Sequence, residues 1–375
     1  MQENINNTGT PGLSGSPKPP RWAKIHRLLR DKKGLRYFFI ALGVIIASGV
    51  GILVWLAMQP EPVAPTSYVV TKPKPKEAPK FYSPLTGVEV LDDAATKRQV
   101  TAIMIENSPD ARPQSGLKDA GVIYEAVAEG GITRFLALYQ ETRPGLIGPV
   151  RSVRPYYVEW AAAYDPAVAH IGGSARALEM IRSGNYGVDL DQFFNSGAYW
   201  RATDRYAPHN VYSSFDRLDA LTASKGKTTS GFIAQARQNE AKSATPTATH
   251  IDMNISTGAY AVSYNYDATT NSYVRAQGGE NHVDREGGQI QPKVAIAIKV
   301  PMTLGFEDGN REQITTSGTG EAYIFQNGTV TPATWSKTDP KAPLVFTGVD
   351  GKPVVLNRGQ TWITALANTK SVTWQ

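Results

Sequence analysis

The pattern of apolar and polar positions divides the chain into three regimes. From Tyr37 to Met58 the sequence YFFIALGVIIASGVGILVWLAM runs for 22 residues without a charge. A helix rises 1.5 Å per residue, so this run spans about 33 Å, enough for the hydrocarbon core of a bilayer. Gly43, Gly49 and Gly51 are tolerated in lipid, and Tyr37 and Trp55 sit near the ends, where aromatic rings settle at the interface. A cleaved signal peptide has a shorter apolar run near the start, followed by a small-residue cleavage site. This one begins after thirty-six residues and no such site follows it directly. The pattern predicts a retained transmembrane helix over 37–58.

From residue 81 the pattern alternates between the two periods of folded protein. Apolar strands are predicted at 100–106 (VTAIMIE), 122–129 (VIYEAVAE), 134–140 (RFLALYQ) and 167–173 (AVAHIGG), with helical spacing over 155–164, 174–183 and 214–224. A connecting region at 225–250 carries helical spacing over 231–240 and a turn-rich KSATPTAT. Beyond 251 the pattern changes to short strands joined by hairpin signals. AYAVSYNY and SYVRAQ flank DATTN, YIFQ and TVTPATW flank Asn327-Gly328, PLVFTGV and KPVVLN flank Asp350-Gly351, and TWITAL comes last. The expected fold class is α+β: an α+β first domain over 81–224, then a mostly β second domain over 251–375, preceded by one transmembrane helix.

Charge separates these regions further. The formal net charge is +6, yet residues 1–60 hold eight Lys/Arg against two Asp/Glu, and 81–375 hold 27 against 29. The basicity therefore belongs to the segment before the fold, which argues against nucleic acid as a partner, since that needs a basic face on the folded body. Seven cations from Arg21 to Arg36 precede the apolar run, opposed only by Asp31, while the first Lys after it is Lys72. That asymmetry predicts a cytoplasmic N-terminal tail over 1–36, disordered at its start, and an extracytoplasmic body at the cell membrane. Between them, 59–80 is rich in Pro and Lys and reads as an extended stalk. The sequence holds no cysteine, which excludes disulfides, thiolate metal sites and a cysteine nucleophile.

Candidate chemistry concentrates in the first domain. Residues 112–217 contain ten arginines and one lysine, whereas from 218 onward there are nine Lys and five Arg. A planar guanidinium fork binds carboxylates and phosphates through paired hydrogen bonds, so the bias points to anion recognition. The same arginines can instead be neutralised within the protein by Glu106, Glu125, Glu129 and Asp165. The segment VIYEAVAE-GG-ITRFLALYQ reads as a hairpin with a two-residue turn, placing Arg134 opposite Val127 and diagonal to Glu125 and Glu129 on one face. Two glutamates four apart on a strand lie about 13 Å from each other, too far for a glycosidase pair at about 5.5 or 9.5 Å.

The remaining candidates carry weaker signals. Asp165, His170 and His209 lack the spacing of a metal motif, so neither a metal nor a cofactor is expected. Ser174 in GGSAR does not match G-x-S-x-G and reads as a helix N-cap beside an anion-accepting helix start. GPVRS at 148–152 lacks the glycine–lysine spacing of a phosphate cradle. His282 reads as a surface residue at a hairpin edge, and Trp335, Trp362 and Trp374 as β-domain core.

Three strings carry a family resemblance: MIENSPDARPQSGLKDAGVIYEAVAEGGITRFLALYQ, then IGPVRSVRPYYVEWAAAYDPAVAHIGGS, then RYAPHNVY. With GQTWI near the end, they resemble the YerB-like lipoprotein family of bacterial envelopes, a family of unknown function, over residues 81–367. The positions matching its motifs are Glu106, Asn107, Arg112, Gln114, Glu125, Glu129, Thr133, Arg134, Arg151, Ser152, Arg154, His170, Ser174, Arg205, His209 and Asn210. The resemblance implies a two-part α+β extracytoplasmic body and transfers no activity. This chain departs from the lipoprotein pattern by lacking a cysteine to carry lipid, so the helix is the expected anchor. Two roles follow. One is binding of an anionic cell-wall polymer or envelope protein through Arg112, Arg134, Arg151, Ser152, Arg154, Ser174, Arg201, Arg205, His209 and Asn210. The other is an enzyme of peptidoglycan or a polyprenyl-phosphate-linked glycopolymer, with Glu106, Glu125, Glu129 or His170 as general acid or base.

Overall fold

The structure is a computed structural model that describes residues 32–60, 79–307 and 309–375. It divides into two units, 1–76 and 77–375. The expected disordered start of the tail and nearly all of the expected stalk lie outside the described residues. In the first unit, helix α1 (Lys32–Ala57) covers the apolar run up to Ala57 and begins before it, taking in Lys32, Lys33 and Arg36. Its 26 residues are long and apolar enough to cross a membrane.

The second unit is α+β, with most of its residues in strands. Its first segment supplies β1 (Thr101–Glu106), β2 (Val122–Glu129), β3 (Ile132–Tyr139), α2 (Pro155–Ala162), β4 (Ala167–His170), α3 (Ala175–Arg182), β5 (Val188–Asp191) and α4 (Phe215–Ser224). The second supplies β6 (His250–Met253), β7 (Val262–Asp267), β8 (Ser272–Gln277), β9 (Glu280–Asn281), β10 (Val294–Val300), β11 (Gly318–Gln326), β12 (Thr329–Lys337), β13 (Val345–Gly348), β14 (Thr361–Ala367) and β15 (Val372–Trp374). The main sheet runs β13-β12-β11-β10-β14-β2-β3-β1-β4-β5, and a hairpin, Met302–Phe306 with Arg311–Ile314, hangs from the end of β2. Strand β14 lies between β10 and β2 and is parallel to both. The two segments therefore share a sheet.

Packing follows strand periodicity. One face of the sheet buries Met104, Tyr124, Leu136, Ile296 and Ile363 against Tyr157 and Trp160 of α2 and Ile181 of α3. On the other, Ile103, Phe135 and Ala137 meet Leu218 of α4, while Ala295, Ala297 and Phe325 meet Tyr264 and Tyr273 of a second sheet, β9-β8-β7-β6-β15. At Asn327-Gly328 both turn residues take positive φ (59° and 77°), the conformation a two-residue hairpin needs. Trp335 and Trp362 are buried, and Trp374 is partly exposed.

Three expectations are corrected. Residues 231–240 form an extended strap, not a helix; Arg237–Gln238 pair in parallel with Leu356–Asn357, so a tertiary strand partner overrides the helical spacing. His282 is buried, because β8 and β9 fold it onto Phe135 and Trp362. The β2–β3 hairpin carries a bulge between Val127 and Glu129, which pairs Arg134 with Ala126. One extra residue exchanges the faces, so Glu125 and Glu129 do not share one.

Candidate functional site

Strands β1, β2, β4, β5 and β14 run in the same direction, so their carboxyl ends gather along one edge of the sheet. Open sheets place ligands at that edge, because the loops leaving it are free to vary while the strands hold them in place. Three charged clusters stand there, and a fourth lies inside the core.

The first centres on Glu106 at the end of β1. Its Oε1 accepts hydrogen bonds from Ser108 Oγ (2.9 Å) and from His209 Nδ1 (2.9 Å), and Arg151 Nε approaches to 3.1 Å as an ion pair. Its Oε2 is buried and has no hydrogen-bond partner among the described residues. With Nδ1 on the carboxylate, the Nε2 of His209 is left facing Asp110, 3.9 Å from Oδ2. Ser108 Oγ sits on the same imidazole nitrogen as the glutamate (3.2 Å), so the three do not make a nucleophile–base–orienter relay, which needs both ring nitrogens.

The second cluster is the bulge's product. Glu129 Oε1 accepts from Arg134 Nη2 (2.9 Å), and Oε2 accepts from Arg154 Nη2. Both arginines also hold Ser152: Arg134 Nη1 donates to its carbonyl (2.8 Å) and Arg154 Nη1 to its hydroxyl (3.1 Å). Burial alone would raise the Glu129 carboxyl, but the two guanidiniums overcome this and hold it at about 2. Burial lowers Arg154 below the usual arginine range. A carboxylate so held stays ionised and is a poor general acid at neutral pH.

In the third, His170 is buried between Asp189 Oδ1 (3.0 Å from Nε2) and the Gly172 carbonyl (2.8 Å from Nδ1). Asp191 accepts from the Gly172 N–H and from Arg182 Nη2 (3.1 Å), so these groups shape the loop that leads into α3. Ser174 occupies the N-cap position, but its buried Oγ has no hydrogen-bond partner among the described residues, and the helix-start N–H of Arg176 donates to Glu307 Oε1 (2.9 Å). Asp165, His170 and His209 are not brought together; Asp165 pairs with Lys227 Nζ at 2.6 Å.

Glu125 faces the core between the two sheets. Its Oε2 accepts from Arg275 Nη2 (2.7 Å) and Trp362 Nε1 (3.1 Å), and Oε1 accepts from Thr133 Oγ1 (3.2 Å). Arg275 Nη1 donates to His282 Nδ1, which assigns the ring proton to Nε2, donating to Gln114 Oε1 at 3.1 Å. Burial, then the charges of Arg275 and Arg112, press the His282 imidazole well below its usual value and keep it neutral. This closed network joins both segments. Sequence reasoning missed Arg275 of β8 and His282 just after β9, which lie more than 140 residues beyond Glu125 with no spacing to announce them.

Beside the first cluster lies an open groove lined by Asp110, Arg112, Arg205, Tyr206, His209 and Arg285. Arg112 donates to the Asn107 side chain (3.2 Å) and carbonyl (3.1 Å) and stacks on Tyr260. Arg205 donates to the Asp110 and Pro113 carbonyls (3.3 and 2.6 Å), and Arg201 to Asn210 Oδ1 (2.7 Å). None of these three makes an ion pair among the described residues, unlike Arg134, Arg151 and Arg154. Arg285, which pairs with Asp204, enters from the second segment and was not foreseen.

Residues 85–229 match the N-terminal domain, and residues 251–363 the C-terminal domain, of the family described as protein of unknown function (DUF3048). The chain belongs to this YerB-like family. It is 34% identical over 297 residues to YerB of Bacillus subtilis (strain 168), whose name calls it a lipoprotein, covering 77% of this chain and 87% of that one. The crystal structure of Bacillus subtilis YerB superposes with a TM-score of 0.70 at 31% identity, over 78% of this chain and 100% of the other. An apolar helix and a lipoprotein relative mark this family member as membrane-associated and envelope-facing.

Proposed function

We propose that the chain is a single-pass membrane protein with a cytoplasmic N-terminus, whose extracytoplasmic body binds an anionic envelope polymer or protein in the groove between Arg112 and Arg205. The observation that carries this is the contrast among the arginines. Those at Glu129 and Glu106 are ion-paired, whereas Arg112 and Arg205 spend their donors on carbonyl-type oxygens and make no ion pair among the described residues at the groove. Carbonyls orient a guanidinium without cancelling its charge, which prepares it for an incoming carboxylate or phosphate. The full chain in detergent should sediment with purified cell-wall sacculi carrying their anionic polymers, and Arg112→Gln with Arg205→Gln should abolish this. Undiminished sedimentation of the folded double variant defeats the reading.

A second reading, an envelope hydrolase or transferase, rests on the Glu106–His209 pair. A buried carboxylate on Nδ1 leaves Nε2 toward the groove, the arrangement of an oriented general base. It predicts that His209→Gln abolishes turnover of a wall-derived substrate while binding persists.

A further inference from the structure

At the opposite edge, where β2 and β14 begin, lies a recessed cavity of about 140 Å³. Its apolar wall comes from Val122, Tyr164, Phe232, Phe346 and Ile363, so the connecting strap closes it over strands of both segments. Apolar cavities of about 150 Å³ hold a benzene ring.

One wall carries a cation. Arg237 donates to the Leu85 carbonyl (2.8 Å), the Asn357 carbonyl (3.0 Å) and Thr361 Oγ1 (2.8 Å), and Leu85 and Thr361 line the cavity as well. Its Nε is buried without a hydrogen-bond partner, and it makes no ion pair among the described residues. Burial draws its pKa down to about 10, so the group remains charged at neutral pH. The carboxylate whose field reaches it, Glu141, is engaged by Ser83 Oγ (2.8 Å) and Thr86 Oγ1 (2.5 Å). A desolvated cation without a counter-charge is costly, and an anion beside it recovers much of that cost. Tyr164 and Tyr124 share one hydrogen bond between two hydroxyls (2.9 Å), which leaves one phenolic proton to donate.

We infer that this cavity is a binding site for a small carboxylate bearing one aryl ring or a branched alkyl group of that size, with the ring in the apolar recess and the carboxylate on Arg237. The site is separate from the groove at the carboxyl edge, and either can exist without the other.

Ligand-observed fluorine NMR on the full chain in detergent tests it, with 4-fluorobenzoate as probe and 4-fluorobenzamide as its neutral match. The wild type should bind the benzoate about tenfold more tightly or better, since a hydrogen bond to a charged group is stronger than one between neutral groups. Arg237→Met should bring the two probes together, and Val354→Trp, which fills the recess, should lose both. Equal wild-type affinities, no binding of either probe, or benzoate binding that survives Val354→Trp overturns the inference. Should Arg237→Met fail to fold, the wild-type ratio and the filled variant still decide.

Discussion

The two edges of the main sheet handle arginine in opposite ways. At the carboxyl edge, Arg134 and Arg154 converge on one carboxylate, Glu129, and both are tied to Ser152. At the amino edge, Arg237 is surrounded by carbonyls and apolar side chains and meets no carboxylate among the described residues. In the first arrangement each guanidinium has a carboxylate oxygen and a Ser152 oxygen, and it reads as a clamp on the loops leaving the sheet. The second is electrostatically incomplete. An Arg-rich composition alone does not distinguish them; partner type does, and it divides the carboxyl edge too, where Arg112 and Arg205 resemble Arg237 more than they resemble Arg154.

The largest expected effect comes from breaking the clamp. Glu129→Gln leaves two nearly buried guanidiniums without a counter-charge and should cost about 3–5 kcal/mol of stability in denaturant unfolding. The same glutamate sets a pH dependence. Its carboxyl titrates near 2 when folded against a usual 4.5, so its contribution is complete above about pH 4.5 and is lost as pH falls toward 2. Wild-type stability should decline across that window, and the variant's decline there should be shallower. Equal slopes would remove Glu129 as the source.

Arg237→Met should cost less, about 1–2 kcal/mol in the same unfolding measurement, because relief of the desolvated charge offsets part of the lost carbonyl hydrogen bonds. A cost as large as that of Glu129→Gln would make the two edges energetically alike and erase the contrast drawn between them.

Much of the fold was legible in the sequence because strand and helix periods are local properties. VIYEAVAE formed a strand with the expected bounds, and Asn327-Gly328 turned the hairpin it announced. The site was less legible, for physical reasons. A single bulged residue after Val127 sends Glu125 and Glu129 to different faces, and nothing in an alternating apolar string marks where a bulge falls. Arg275 and His282 reach Glu125 through contacts between sheets, and period-two patterning does not specify how sheets pack. The strap at 231–240 shows the same limit, since its helical spacing yields to a strand partner more than 110 residues away.

The smallest expected change in stability is also the sharpest test of the carboxyl-edge groove. Arg205 is half-exposed, and its acceptors, the Asp110 and Pro113 carbonyls, lie where water can replace the guanidinium. Arg205→Gln should therefore shift unfolding by no more than about 0.5 kcal/mol, as surface substitutions do. If the arginine is kept for an external anion, sedimentation with anionic sacculi should nonetheless fall, and the binding that remains should weaken less steeply with added salt, because one charge-to-charge contact has been removed. A variant that loses stability but keeps its binding and salt dependence would place Arg205 with the clamp residues, leaving Arg112 alone to define the groove.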